Sequence, residues 1–560
     1  MRKSRKIEPD NSSWNSEVRL LAWLATCASV ISFLSYAQRN QVLLYGDAIA
    51  HINIARRVFD SKTPGLLQLG TVWLPLPHLL MIPFLISNEM WRRGAGGSIP
   101  SMVAYVFGVI GIFRLTRSAL GRNKQPDSPA RVAPWIAALI YAANPNLIYM
   151  QSTAMGETLY LAFFIWSLVF LIEFVRGEAN ALTKGALCLA AACLTRYDGW
   201  FLSAALIAFV LLRFLLSANS ASQSQPDPQL RIRVVKFIVI AAAAPALWLA
   251  YNGIVYRNPL EFENGPYSAK AIERKSQTAG NPGHPGSANP WLAGMYFVKA
   301  AEDNMVANQW LQRTWILLSL FAAAVLIFAR RQQAEATEQK SAPLWCLLFL
   351  LLPIPFYALS IAYSGVPVFV PNWWPFTHYN VRYGLQLLPA FSIAMALLVY
   401  AVLHFDKWNP RLRFVSIPAI LAFSAASYAF VWQATPICLA EAQINMRSRN
   451  QLQIELARWL ERLPPDSTLL MYLGDQVGAL ERAGIPLKRT INEGNHRVWK
   501  QPVDPEGLWE RALAHPSQYA DYVVAFEGDP VWRAVHDLHL PALVELHVTG
   551  QPHAILYRAR

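Results

Sequence analysis

"TVWLPLPHLLMIPFLIS", residues 71–87, looks like a membrane span, and how it is read decides how the whole chain is threaded. A helix needs about 20 mostly apolar residues to cross a bilayer. This run carries Pro75, Pro77, Pro83 and His78, and each interior proline costs a helix about 3 kcal/mol. The other apolar runs lie near residues 19–37, 100–116, 132–151, 155–175, 183–198, 199–217, 234–256, 314–329, 343–364, 383–404 and 414–434. With the Pro-rich run left out, the basic segments at residues 2–19, 114–131, 176–184, 231–236, 330–340 and 407–413 all fall on one side, which the positive-inside tendency makes cytoplasmic. Counting the run as a span destroys that agreement. The sequence therefore predicts about eleven spans. Residues 38–99 form one large outer loop, with the Pro-rich part lying in the interface.

Composition agrees. The chain of 560 residues is 54% hydrophobic and only 15% charged, with mean hydropathy +0.25, as expected of an integral membrane protein. Its net charge of +14 sits in short clusters between apolar runs, which orients spans and argues against nucleic acid as a partner. Cys27, Cys188, Cys193, Cys346 and Cys438 show no paired or metal-like spacing, so no disulfide framework is expected. The basic amino terminus leads into an uncleaved first span.

The same parity places residues 257–312, 365–381 and everything after 436 outside. The tail is a different kind of chain. It opens with an amphipathic stretch, "NQLQIELARWLERL". Strand-like "STLLMYLG", "YADYVVAFEG", "ALVELHV" and "HAILYRA" follow, separated by helix-like "DQVGALERAG" and "DPVWRAVHDL". The expected fold class is a polytopic α-helical membrane protein, residues 1–435, with an extracytoplasmic α/β domain, residues 436–560.

Past the first span, "YGDAIAHINIARRVFDS", residues 45–61, crowds Asp47, His51, Arg56, Arg57 and Asp60 into the outer loop. Asp47 is placed to take a proton from an acceptor hydroxyl or, alternatively, is a helix cap or a surface acid. His51 follows four residues later on the same helical face. The pair reads as an acid with its orienting neighbour rather than a metal site, because two ligands do not hold an ion. Arg56 and Arg57 are phosphate contacts or headgroup anchors. Glu157 opens a span, where it serves an active site or the helix dipole. Arg196 and Asp198 in "LTRYDGW" read as a pair across a turn. Arg382, opening another span, binds phosphate bidentately or snorkels to the interface. Tyr267, Lys270 and Arg274 in the loop 257–312 are candidates to close over a headgroup.

Taken in order, "GDAIAHINIARRVFD", "WLPLPHLL", "PSMVAYVFGVIGIFRLTR", "GETLYLAFF", "LTRYDGW" and "VRYGLQLLPAFS" resemble the GT-C membrane glycosyltransferases. The resemblance is closest to the branch of protein O-mannosyltransferases and lipid A aminoarabinose transferases. It covers nearly the whole chain, tail included. It implies a GT-C fold and a polyprenyl-phosphate-linked sugar as donor. The acceptor would be a protein, lipid or glycan hydroxyl at the outer face of the plasma membrane. By the same resemblance Asp47 and Glu157 are the catalytic acids. Arg382, Arg56, Arg57, His51, His78 and Tyr383 then bind the donor, with no cofactor. Two departures stand out. The Arg that the family often has before the "PS" opening is Ser98 here, so either Arg92 or Arg93 substitutes or that contact is absent. "NWWPFTHYNVRYG" lacks the acid of the oligosaccharyltransferase "WWDYG", which argues against a metal-dependent transfer. A transporter or lipid flippase is the alternative, but neither two comparable halves nor matching broken spans are visible. A single base without a paired nucleophile fits inversion in one displacement, with Asp47 and Arg382 on opposite sides of the anomeric carbon.

Overall fold

In the computed structural model, residues 11–120, 129–178, 180–220, 228–276, 283–336, 344–404, 410–495 and 507–560 are described. Among these residues, eight helices are long and apolar enough to cross a membrane, beginning with Asn15–Gln38 and Ala95–Leu120. The chain is a multi-pass membrane protein. Of the eleven spans expected from the sequence, the other three are a broken helix, a short helix and one long helix. The run near 132–151 is broken where Pro145 starts a new helix, Pro145–Met150, capped by the Asn144 side chain. The run near 183–198 yields the 13-residue helix Ala181–Cys193. The run near 314–329 lies within Gln309–Ala336.

The Pro-rich segment folds as Pro75–Leu85. At 11 residues it reaches about 16 Å, roughly half a bilayer core, so it does not span as a helix. Pro75 and Pro77 sit in its first turn, where a missing N–H costs nothing.

Ion pairs show which segments share an end of the bundle. Near the start of helix Asn11–Gln38, Glu17 bonds Arg117 at 2.8 Å and Arg131 at 3.1 Å. The loop that follows this helix meets the carboxy-terminal part instead. Asn53 donates to Glu481 at 2.8 Å, Arg92 donates to the Arg482 carbonyl at 2.9 Å, and the Lys488 N–H donates to Asp60 at 3.1 Å. Glu17 and Gln38 are separated by about 30 Å of helix, so Arg117 and Arg131 lie at the opposite end from the contacts of the loop after this helix.

Beyond helix Ile437–Leu460 lies a five-stranded sheet. Its strands are β1 (Leu469–Met471), β2 (Thr490–Ile491), β3 (Tyr522–Phe526), β4 (Ala542–Leu546) and β5 (Ala554–Arg558), in the order β2-β1-β3-β5-β4. β1 pairs parallel with β2 and β3, while β5 runs antiparallel between β3 and β4. The four strand-like runs in the sequence form β1, β3, β4 and β5, and the helix-like runs form Gly478–Ala483 and Pro530–Val535. β2 escaped the sequence reading because two residues show no alternation.

Candidate active site

The end of the loop before residue 381 sets the site. Asn380 takes the left-handed conformation, φ 56°, which asparagine tolerates. It turns the chain into the 3-10 helix Val381–Leu387. Gly384 lets this turn lie directly on helix Pro290–Met305, where an added Cβ would run into the Ala300 backbone. The free N–H groups of Asn380 and Val381 donate to Glu441 at 3.0 and 2.8 Å, so a carboxylate from the carboxy-terminal helix caps this start.

Arg382 is thereby held at a junction of three acids. Its Nη1 donates to Glu441 at 2.7 Å, its Nε to Glu157 at 3.0 Å and its Nη2 to Asp47 at 2.6 Å. The Tyr45 and Tyr383 rings each lie 5.0 Å from its guanidinium. A second guanidinium repeats the pattern. Arg196 donates to the same Glu157 oxygen at 3.0 Å, to Asp198 at 3.2 Å and to the Tyr357 hydroxyl at 3.0 Å. Tyr357 donates to Asp198 at 3.0 Å, and Gln386 donates to both. Two arginines thus serve four carboxylates. Three of the four are almost fully buried, but the Asp47 side chain is 40% exposed.

That exposure opens into a cavity of about 960 Å³, whose wall includes Asp47, His51, Glu157, Arg196, Asp198, Arg382 and Tyr383. Aromatic and apolar side chains from the Pro-rich segment and from the loop 257–312, among them Trp73, Pro77, Phe262 and Tyr267, complete it. Asp47 sits in the first turn of helix Gly46–Arg57, so the loop's own helix aims it there. One turn on, His51 bonds His78, Nδ1 to Nε2 at 2.8 Å, rather than Asp47. Burial pushes the His51 imidazole below its usual range, against the opposing pull of Asp47 and Glu157. Arg382, not His51, orients Asp47.

No family model and no curated protein matches this sequence. Crystal structures of ArnT from Cupriavidus metallidurans do match, each covering 95% of this chain and 98% of theirs at 13% identity. The TM-score is 0.53 for the apo state and 0.51 for the form bound to undecaprenyl phosphate. The fold is the GT-C fold. The oligosaccharyltransferase of Archaeoglobus fulgidus, tethered with an acceptor peptide, matches more loosely, with TM-score 0.42 and 11% identity over 90% of this chain and 69% of that one. At such identities the likeness is one of architecture, and roles must come from this chain's own geometry.

Within this GT-C fold the expected site residues divide sharply. Asp47, Glu157, Arg382, His51 and Tyr383 line one cavity. His78 stands behind His51, outside the wall. Arg56 does not face the cavity: it pairs with Asp60 at 2.8 Å, donates to Asn88 at 2.5 Å and also bonds the Leu85 and Ile86 carbonyls. Arg57 lies toward Glu493 and Gly494 of the carboxy-terminal part. Tyr267 lines the cavity, whereas Lys270 and Arg274 do not. Neither Arg92 nor Arg93 enters it; Arg93 pairs instead with exposed Glu89 on the surface, and Ser98 donates to the Ser152 carbonyl at 2.9 Å. The pairing of Arg196 with Asp198 across a turn is present, yet that turn also forms cavity wall, a placement the local sequence does not reveal. Glu441 was missed altogether. Its only sequence signal is a single acid in the apolar "ICLAEAQINM".

Proposed function

We propose that the protein is an inverting glycosyltransferase that moves a sugar from a polyprenyl-phosphate donor to an acceptor hydroxyl at the outer face of the plasma membrane. One observation carries this reading: a half-open carboxylate, Asp47, is fixed by a buried arginine at the wall of a large cavity next to helices that cross the membrane. The acceptor hydroxyl gives its proton to Asp47 while its oxygen bonds the anomeric carbon. The bond from that carbon to the phosphate oxygen breaks on the opposite face, and the electron pair departs with the polyprenyl phosphate. A positioned base contributes about 10² to 10⁴-fold.

The expected division of labour changes in one respect. Asp47 and Arg382 are bonded to each other, so Arg382 acts first as the residue that positions the base. Arg196, which is not bonded to Asp47, has N–H groups to spare beyond the bonds described and offers hydrogen-bond donors to the leaving phosphate. Glu157, shared by Arg382 and Arg196, keeps the two guanidiniums side by side. ArnT was crystallised with undecaprenyl phosphate, and the apolar side of the present cavity suits a lipid carrier of that class. The basic segments at the far end of the bundle are then cytoplasmic, and the carboxy-terminal part is extracytoplasmic.

The test is single-turnover transfer from polyprenyl-phosphate-linked sugars by purified protein. Asp47→Asn keeps the shape and removes the proton acceptor. It should slow the chemical step by about 10² to 10⁴-fold with donor affinity retained. Normal turnover in a correctly folded Asp47→Asn sample would remove the reading's main support.

A further inference from the structure

The hairpin between β4 and β5 reads "ELHVTGQPHA", residues 545–554. Its strands pair with Glu545 opposite Ile555 and Leu546 opposite Ala554, so His547 and His553 stand opposite one another one step beyond the last pair. Glu545 precedes His547 by two residues and shares its face of the strand. The three side chains converge. The two imidazole rings stack with centroids 3.9 Å apart at 12°, and His553 Nε2 lies 3.6 Å from Glu545 Oε2. One ligand atom from each of the three residues lies within 4.8 Å of the others. His553 Nε2 is shielded from solvent and makes no hydrogen bond among the described residues, so its ligand capacity is unspent. None of the three residues belongs to the cavity wall.

We propose that Glu545, His547 and His553 form a Zn²⁺ site, with water in the fourth position. Two imidazoles and one carboxylate suit zinc, whereas Mg²⁺ and Ca²⁺ prefer all-oxygen shells. Bonds of about 2.0–2.1 Å in a tetrahedron require the ligand atoms to draw together slightly, which side-chain rotation on an open hairpin allows. The site would clasp the base of a loop with a task of its own. Between the two histidines, Gln551 donates to Ser448 at 3.0 Å. Ser448 lies on helix Ile437–Leu460, which also carries Glu441. Zinc would stiffen the hairpin against that helix.

The experiment uses the full chain, purified in detergent without a histidine tag, stripped with chelator, dialysed and titrated calorimetrically with ZnCl₂ alone. One equivalent should bind. His547→Ala and His553→Ala should each abolish that equivalent, and Glu545→Gln should weaken it by about tenfold or more. Hydrogen exchange of residues 542–558 in the unsubstituted protein should slow on adding zinc, a readout independent of whether the variants fold. Zinc stoichiometry equal in the wild type and the His547→Ala/His553→Ala double variant, or no change in hairpin exchange with zinc, would overturn the proposal.

Discussion

Arg382 and Arg56 are buried to the same depth, 5% exposed, yet they do different work. Arg56 stitches the loop after the first helix to itself. It holds Asp60, which in turn accepts N–H groups of Leu487 and Lys488 from the carboxy-terminal part. It packs 4.9 Å from the Trp91 ring and 5.1 Å from Phe59. Arg382 holds three carboxylates from three distant segments. The decisive difference is in the partners: the Asp60 side chain is 6% exposed, that of Asp47 40%. A closed ion pair around Arg56 secures architecture. An ion pair with one open carboxylate can secure geometry and still present a base to a substrate.

The comparison can be broken from the Arg382 side most severely. Arg382→Ala leaves Asp47, Glu157 and Glu441 without a shared cation, and breaking a buried pair costs about 3–5 kcal/mol. The expected outcome is loss of the folded monodisperse peak in size exclusion, with turnover absent in whatever survives. Recovery of full turnover would detach Arg382 from the base. Arg56→Ala should cost less, about 3 kcal/mol, because Asp60 keeps its backbone donors. It should lower the melting temperature and leave the single-turnover rate of the folded fraction unchanged. A fall in donor affinity instead would return Arg56 to the cavity's work.

A smaller effect is expected at the seam between the two parts. Burial pushes the Glu481 carboxyl from 4.5 up to about 8. Its folded form therefore binds its proton more tightly than the unfolded chain does. The stability this gives is fully present below about pH 4.5 and is lost as pH rises through about 8, each unit of difference being worth about 1.4 kcal/mol. Glu481→Gln should flatten that slope in melts taken from pH 5 to 8. A slope unchanged by the substitution would place the titration elsewhere. The least effect of all is expected from EDTA. Asp47 is bonded to Arg382 and His51 to His78, and among the described residues neither joins a cluster of three potential ligands. Turnover should survive chelation; loss rescued by Mn²⁺ or Mg²⁺ would make Asp47 a ligand.

Much of the fold is legible because membrane folding obeys one-dimensional rules. Hydrophobic length marks spans and basic clusters mark one end. Three prolines at residues 75, 77 and 83 are enough to demote an apolar run. The failures fall where those rules are silent. Pro145 divides a run that hydropathy treats as continuous, and β2 is too short to show a period. In the site, Asp47, Glu157 and Arg382 are legible because a charge next to an apolar run is costly and conspicuous. Arg56 is equally conspicuous and serves a different purpose, so visibility alone does not assign a role.

By itself, then, the sequence determined the membrane character, the Pro-rich loop after the first helix, the carboxy-terminal α/β part and the short roster of charges from which a site could be drawn. Only the tertiary structure decided which of them meet. It bonded Asp47 to Arg382, where the sequence reading set them apart, gave His51 to His78, and brought Glu441 from the second part of the chain to cap the turn that carries Arg382. The reason is physical. Hydropathy and charge sidedness act residue by residue along the chain, whereas a buried carboxylate is tolerable only where folding delivers a donor within about 3 Å. That condition joins residues hundreds of positions apart and leaves no local trace.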